Sequence, residues 1–145
     1  MAATDRRLAF VAGGRSLGCS HYELPPGKVA FPFHYHCANE EAIFVLEGEG
    51  TMRIGAERVA IRAGDYIALP PGPEGAHQLV NTSDAALKYL CISTMIPVEV
   101  VGYPDSKKHA ASAAGSVEAA QRGERWVRHL WLDGPTAGYY DGEPD

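Results

Sequence analysis

From Leu8 to about Met95, short apolar or alternating runs are separated by residues that favour turns. Apolar positions that alternate with polar ones are typical of β-strands with one buried face. Nine such runs follow one another at roughly ten-residue spacing, which predicts an antiparallel sandwich or barrel. The predicted strands are Leu8–Ala12, Cys19–Leu24, Val29–Cys37, Glu41–Glu47, Thr51–Ile54, Arg58–Ile61, Tyr66–Leu69, His77–Asn81 and Leu87–Met95.

Glycine and proline mark the breaks between these runs. The sequence contains 16 Gly and 10 Pro, and in helix interiors these residues cost roughly 1 and 3 kcal/mol relative to Ala. A helical bundle is therefore excluded for this part of the chain. Tight turns need fixed or positive φ angles, and these are supplied by Pro25–Gly27, Gly48–Gly50, Gly55, Ala63–Asp65, Pro70–Pro73 and Asn81–Asp84.

The pattern changes after Pro97. The segment from Ala110 to Ala120 consists mostly of small residues, which have too little bulk to form a core. We therefore expect a mobile loop or a short helix laid on the barrel there. A segment with several large apolar residues follows at Trp126–Leu132. We assign no chemistry to this part of the chain.

Composition and charge narrow the class of protein. A chain of 145 residues with 46% hydrophobic and 21% charged residues suits one globular domain with tails. Its 13 basic and 18 acidic side chains give a net charge of −5 without a basic stripe, so nucleic acid is not an expected partner. The apolar runs are too short for a membrane span or a signal peptide. We expect no membrane association and a cytoplasmic location.

The candidate chemistry lies at His34 and His36, followed by Glu41. Residues two apart on a strand share a face, with Cα atoms about 6.6 Å apart, so both imidazoles can reach one metal ion. A carboxylate from the next strand can complete such a set. If only His34 and His36 are considered, the alternative interpretation is two exposed strand histidines that bind no metal. The later His77, which follows a Pro-Gly turn and precedes Asn81, favours the metal site.

Two segments, Gly27–Gly48 and Gly64–Asn81, together resemble the paired motifs of the cupin superfamily, the small β-barrel metalloproteins. Extra residues relative to the family spacing lie only before His34 and before His77, and loops that precede strands absorb insertions. A tighter likeness, through PPGPEGAHQLVNTSD, ISTM and YPDS, is to bacterial single-domain cupins of a sugar-phosphate-isomerase type. The motif positions are filled by Gly27, His34, His36, Glu41 and Gly48, and by Gly64, Pro70, Gly72, His77 and Asn81.

The resemblance implies an all-β fold, a cupin-type antiparallel β-barrel (double-stranded β-helix or jelly roll) with a C-terminal irregular or partly helical tail. The barrel would occupy residues 1–102, with the metal motifs at 27–81. Residues 103–145 would form an extension that packs on the barrel or on a partner subunit. The implied ligands of one divalent transition metal are His34, His36, Glu41 and His77. Zn, Mn, Fe, Ni, Co and Cu all suit three imidazoles and a carboxylate.

The implied function is metal-dependent chemistry on a small oxygenated metabolite. Our first expectation is a proton transfer like that of a sugar-phosphate isomerase, although the sequence identifies no catalytic base for it. The alternatives are a metal-dependent dioxygenase or other oxidoreductase, and a non-catalytic cupin that binds a small ligand. Because cupins commonly pair sheet to sheet, we also expect a homodimer.

Strand parity indicates which side chains accompany the ligands into the barrel. If Glu41 points inward, so do Ile43 and Val45, and if His77 points inward, so do Leu79 and Asn81. These residues predict a largely apolar pocket for a small molecule. Asn81 either orients a ligand or caps a turn.

The remaining polar candidates are assigned structural roles. Glu40 is expected at the surface because its side chain should point away from that of Glu41. Tyr66 and Tyr89 are expected to be packed aromatics with hydroxyls that reach the surface. Arg53 is either a surface side chain or a contact for a phosphorylated substrate.

Two further sets of residues lie outside the metal motifs. Phe31, Phe33 and Tyr35 are expected to form an outer aromatic row, which an N-terminal strand, Trp126–Leu132 or a second subunit would cover. The three cysteines lack CxxC spacing and are expected to be reduced and structural, with Cys37 as a small buried hydrophobe.

Overall fold

A computed structural model describes residues 4–142. Residues 1–3 and 143–145, at the two ends of the predicted barrel and extension, lie outside the described residues. The strands are β1 (Thr4–Arg7), β2 (Leu17–Leu24), β3 (Tyr35–His36), β4 (Glu41–Glu47), β5 (Glu49–Ile54), β6 (Glu57–Arg62), β7 (Tyr66–Leu69), β8 (His77–Val80), β9 (Leu87–Thr94), β10 (Val98–Tyr103), β11 (Lys108–Ala113) and β12 (Val127–Leu132), and the α-helices are α1 (Leu8–Val11) and α2 (Val117–Gln121).

The strands form three antiparallel sheets. One has five strands in the order β1-β2-β9-β4-β7, one has four in the order β12-β11-β10-β3, and one has three in the order β6-β5-β8. Isolated bridges from Val29 to Val80 and from His34 to His77 continue the three-stranded sheet into the segment that precedes β3. The all-β antiparallel architecture predicted from the sequence is confirmed.

The core lies where the inward faces of these sheets meet. Leu24, Val45, Met52 and Leu87 are fully buried, and they come from strands of two different sheets. Leu24 and Leu87 are register partners on β2 and β9, so their side chains point inward together. Burial of such side chains stabilises the fold by roughly 1.5–3 kcal/mol each.

Seven of the predicted runs coincide with strands, but the first run does not. Leu8–Ala12 was expected to be a strand, and the structure instead has the short helix α1 there. The N–H of Ala12 donates to the carbonyl of Leu8, and Gly13 then ends the turn with a φ of 81°. A four-residue apolar run does not distinguish a helical turn from a strand by its pattern alone.

The run Val29–Cys37 is also less regular than expected. Only Tyr35–His36 forms a strand, and the preceding residues pair through isolated bridges. The expected outer aromatic row therefore does not form: Phe33 is buried, and Phe31 lines the central cavity. Cys37, expected to be buried, is exposed because it lies just past the end of β3.

The C-terminal part contains more strand than the sequence indicated. A short helix was one expectation for Ala110–Ala120, and α2 provides it at Val117–Gln121. Lys108–Ala113 is strand β11, because it pairs on one side with β10 and on the other with β12. Small side chains are tolerated there since pairing on both sides satisfies the backbone. Within residues 4–142, no helix has the length and apolar character that crossing a membrane requires.

Candidate metal centre

The four predicted ligands all line the same cavity. His36 lies on β3, Glu41 begins β4 and His77 begins β8. His34 faces His77 across an antiparallel bridge, with N···O distances of 3.1 Å and 2.8 Å for the two reciprocal backbone hydrogen bonds. Backbone pairing thus fixes the positions from which the side chains of His34 and His77 project.

The side chains converge on the carboxylate of Glu41. Its Oε2 atom lies 3.4 Å from Nε2 of His36 and 3.4 Å from Nε2 of His77. Donor atoms of His34, His36 and Glu41 all lie within 4.8 Å of one another. The ring of His34 is 4.5 Å from that of His77 and 5.2 Å from that of His36, between centroids. His77 lies outside this 4.8 Å group and joins it through its contacts with Glu41 and His34.

Hydrogen bonds to the outer ring nitrogens set the direction of each imidazole. Nδ1 of His34 is 2.8 Å from the carbonyl oxygen of Pro32, and Nδ1 of His77 is 2.8 Å from that of Gly75. Nδ1 of His36 lies 3.3 Å from a carboxylate oxygen of Glu99. Oxygens of this kind only accept, so each Nδ1 donates its proton outward and each ring turns its Nε2 inward.

This arrangement places acceptors opposite acceptors. When Nε2 of His36 and of His77 carries no proton, its lone pair faces an oxygen of Glu41, which also only accepts. Such a group is stable only with positive charge between its members, either extra protons or a metal cation. Burial, followed by the charge of His77, lowers the pKa of His34 to about 4. His34 is therefore neutral near pH 7, as a metal ligand must be, and the donor set fits a divalent transition metal.

Glu41 is ionised in this environment. Burial by itself raises the pKa of its carboxyl, but the contact with His77 and the charge of His36 outweigh burial and hold the pKa below its usual value. A carboxylate rather than a carboxylic acid therefore faces the three rings.

Glu99 is a part of the site that the sequence analysis missed. This buried carboxylate on β10 accepts hydrogen bonds from the backbone N–H groups of Cys37, Ala38 and Asn39, at 2.9–3.0 Å. It also faces Nδ1 of His36. Burial acts to raise the pKa of Glu99, but the N–H groups of Ala38 and Asn39 lower it overall. One side chain thus holds both the loop after β3 and the orientation of His36.

The four ligand candidates face a cavity of about 290 Å³. Its walls are mostly aromatic and aliphatic, and among the described residues that line it Glu41 is the only carboxylate. The other lining residues are Tyr22, Ala30, Phe31, His34, His36, Ile43, His77, Leu79, Tyr89, Cys91, Val101 and Tyr103.

Of the four residues that strand parity placed in the pocket, two line it and two do not. Ile43 and Leu79 are in the wall of the cavity. Val45 is fully buried in the core. Asn81 caps a turn: its amide N–H groups donate to the carbonyls of Leu24 and Ala85, and its oxygen accepts from Ser83. A side chain must therefore point inward to line the cavity, but inward orientation does not determine whether its position along the strand is at the cavity or in the core.

The other polar candidates lie away from the cavity, with one exception. Glu40 and Tyr66 are exposed. Arg53 donates two hydrogen bonds to Asp105, at 2.7 Å and 3.0 Å. The two side chains therefore form an ion pair at the surface. Tyr89, expected to reach the surface, is instead buried in the cavity wall, and its hydroxyl has no hydrogen-bond partner among the described residues.

Comparison with known proteins identifies the fold. The family model for the cupin domain matches residues 20–93, just over half of the 145 residues. A solved structure from Silicibacter pomeroyi, described as a sugar phosphate isomerase from a cupin superfamily, superimposes with a TM-score of 0.75. It is 28% identical, and the match covers 79% of this chain and 73% of that one.

Two curated proteins are also similar. Quercetin 2,3-dioxygenase of Bacillus subtilis is 31% identical over 119 residues, covering 77% of this chain and 35% of the relative. An uncharacterized protein from Methanocaldococcus jannaschii is 37% identical over 60 residues, covering 41% of this chain and 46% of the relative. The chain spans less than half the length of either curated relative.

Proposed function

Since the chain belongs to the cupin domain family, we propose that it is a metal-dependent enzyme that acts on a small oxygenated metabolite. His34, His36, Glu41 and His77 would hold one divalent transition metal. The observation that carries this proposal is that Nε2 of His36 and Nε2 of His77 each lie 3.4 Å from the ionised Glu41, while Nδ1 of all three rings is tied to an oxygen behind it. When bound there, a divalent metal would polarise an oxygen of the ligand as a Lewis acid.

The protein's own residues supply orientation and exclusion of water. Backbone carbonyls and Glu99 hold the three rings in place, so little reorganisation is needed when a ligand binds. Ile43, Leu79 and Val101 provide an apolar wall, which keeps bulk water away and strengthens polar interactions at the site.

Two reaction classes were expected, and the cavity favours the oxidoreductase over the isomerase. Isomerisation requires a positioned base, but Glu41, the only carboxylate among the described lining residues, is assigned to the metal. Burial raises the pKa of Tyr89 and of Cys91, so neither loses its proton near neutral pH. A dioxygenase or related oxidoreductase is therefore the better supported class, in keeping with the name of the B. subtilis relative.

Metal-dependent turnover tests this proposal. Metal-free protein is reconstituted separately with Fe²⁺, Ni²⁺, Cu²⁺ or Zn²⁺ and offered a panel of small oxygenated compounds and sugar phosphates. We expect O₂ uptake with at least one redox-active metal and none with Zn²⁺. The uptake should be lost in His77→Ala and retained in His129→Ala, a control on the exposed strand β12.

Two results would contradict the oxidoreductase. Isomerisation of a sugar phosphate by the Zn²⁺-loaded protein would restore the isomerase, which is the first sequence-based expectation. Absence of turnover with every metal, combined with thermal stabilisation by a panel compound, would instead favour a non-catalytic ligand-binding cupin.

A further inference from the structure

Four aromatic side chains line the cavity, and we call them the aromatic wall: Tyr22, Phe31, Tyr89 and Tyr103. Tyr22 stacks on Tyr89 with centroids 5.3 Å apart, and it meets Phe31 edge to face at 5.7 Å. The ring of His34 continues the series, 6.3 Å from Phe31 and 6.1 Å from Tyr103. The wall therefore extends from the buried interior to the candidate metal ligands.

Apart from the proposed metal, the described lining of the cavity offers no cationic side chain of Lys or Arg to pair with a phosphate. The guanidinium of Arg53 is held by Asp105 and lies 3.6 Å from the centroid of Phe33, outside the cavity lining. Lys108 lies over the ring of Tyr103 but lines a separate surface depression. Burying a phosphate without paired cations is costly.

Size and polarity further restrict the ligand. A volume of about 290 Å³ is at the lower limit of the roughly 300–1,000 Å³ typical of pockets for drug-sized molecules. It therefore suits a molecule with a single ring. Away from the candidate ligands the lining is mostly aromatic and aliphatic, so the oxygens of a ligand would face His34, His36, Glu41 and His77.

We infer that the cavity takes a phosphate-free, planar, single-ring compound that bears oxygen substituents. Its ring lies against the aromatic wall, and its oxygen substituents point to the ligand set of His34, His36, Glu41 and His77. This inference rests on the proposed metal centre. It narrows the substrate class from oxygenated metabolites in general to oxygenated ring compounds.

Binding of matched probes tests the inference. Zn²⁺-loaded protein, with its metal content measured on the same sample, is titrated calorimetrically with catechol, with glucose and with glucose 6-phosphate. We expect catechol to bind at least tenfold more tightly than either sugar. Equal or tighter binding of glucose 6-phosphate by metal-loaded protein would overturn the inference while leaving the metal centre intact. Failure of the protein to hold Zn²⁺ would overturn the proposed function and the inference together.

A variant of the wall tests the contact between the ligand ring and the aromatic side chains. Phe31→Leu should weaken catechol binding by about three- to tenfold, the magnitude of one aromatic pair. Phe10→Leu, the same substitution on the exposed helix α1, should leave it unchanged. Unchanged catechol affinity in Phe31→Leu would overturn the assigned binding mode.

Discussion

At the scale of single residues, Glu99 links the shape of a loop to the chemistry of a histidine. One of its oxygens accepts from Cys37, Ala38 and Val100, and the other from Asn39 and His36. An amide in place of the carboxylate would put an N–H₂ group opposite donors. The ring of His36 would then lose its fixed tautomer.

Glu99→Gln should therefore lower the affinity for Zn²⁺ by about 10–100-fold, as is usual when the partner of a metal-bound histidine is changed. Calorimetric titration of metal-free protein measures this, with near-UV circular dichroism to verify the fold. Glu49→Gln, an exposed position on β5, is the matched control and should bind like wild type. Wild-type affinity in a folded Glu99→Gln protein would show that Glu99 serves the loop alone.

Distance along the chain explains which residues of the site could be predicted from the sequence and which could not. His34, His36 and Glu41 lie close together along the chain, so spacing and strand alternation relate them directly. Glu99 lies 63 positions from His36, and no local pattern connects them. The cavity-facing position of Tyr89 likewise depends on the stacking of Tyr22 across β2 and β9.

At the scale of elements, the turn between β4 and β5 depends on a glycine. Gly48 has a φ of 85°, and an added Cβ would lie 2.6 Å from the carbonyl oxygen of Ala86. Gly27 has a similar φ of 68°, but its added Cβ would meet nothing within 4 Å. The two positions separate backbone strain from a steric clash.

Gly27→Ala should lose roughly 1–2 kcal/mol of unfolding free energy, the usual cost of a left-handed conformation for a residue with a Cβ. Gly48→Ala should lose more, roughly 2–4 kcal/mol, because the clash adds to that cost. Urea denaturation measures both. Equal losses in the two variants would mean that the turn shifts to relieve the contact.

Elements were predictable where alternation was long and bounded by turn residues. β4 and β7 have the predicted bounds, Glu41–Glu47 and Tyr66–Leu69. β11 was not predicted as a strand, because its Ala and Ser residues carry no strand pattern and it forms through pairing with β10 and β12. Such pairing is a tertiary effect that overrides local propensity.

At the scale of the whole molecule, the candidate ligands come from all three sheets. Glu41 belongs to the five-stranded sheet, His36 to the four-stranded sheet and His77 to the three-stranded sheet. A metal bound by these residues would join the sheets, so it binds the folded chain far better than the unfolded one. The division of the chain into a barrel at residues 1–102 and an extension at residues 103–145 stays a prediction. The homodimer also stays a prediction.

Metal removal should therefore lower the stability of the whole fold. With free Zn²⁺ at a hundred times its Kd, the wild-type chain should gain about 2.7 kcal/mol over metal-free protein. Differential scanning calorimetry should show this as a higher Tm. His77→Ala should gain much less from the same Zn²⁺ concentration. A Zn²⁺-dependent shift in His77→Ala equal to that of wild type would place the stabilising ion elsewhere.

The metal centre itself is tested most directly by the metal content of the purified protein. Wild-type chain, prepared without added metal, dialysed and measured by plasma mass spectrometry, should retain about one divalent transition-metal ion per chain. The double variant His34→Ala/His36→Ala should retain none, and His129→Ala should retain the wild-type amount. A wild-type chain without bound metal, or a double variant that keeps it, would contradict the metal centre.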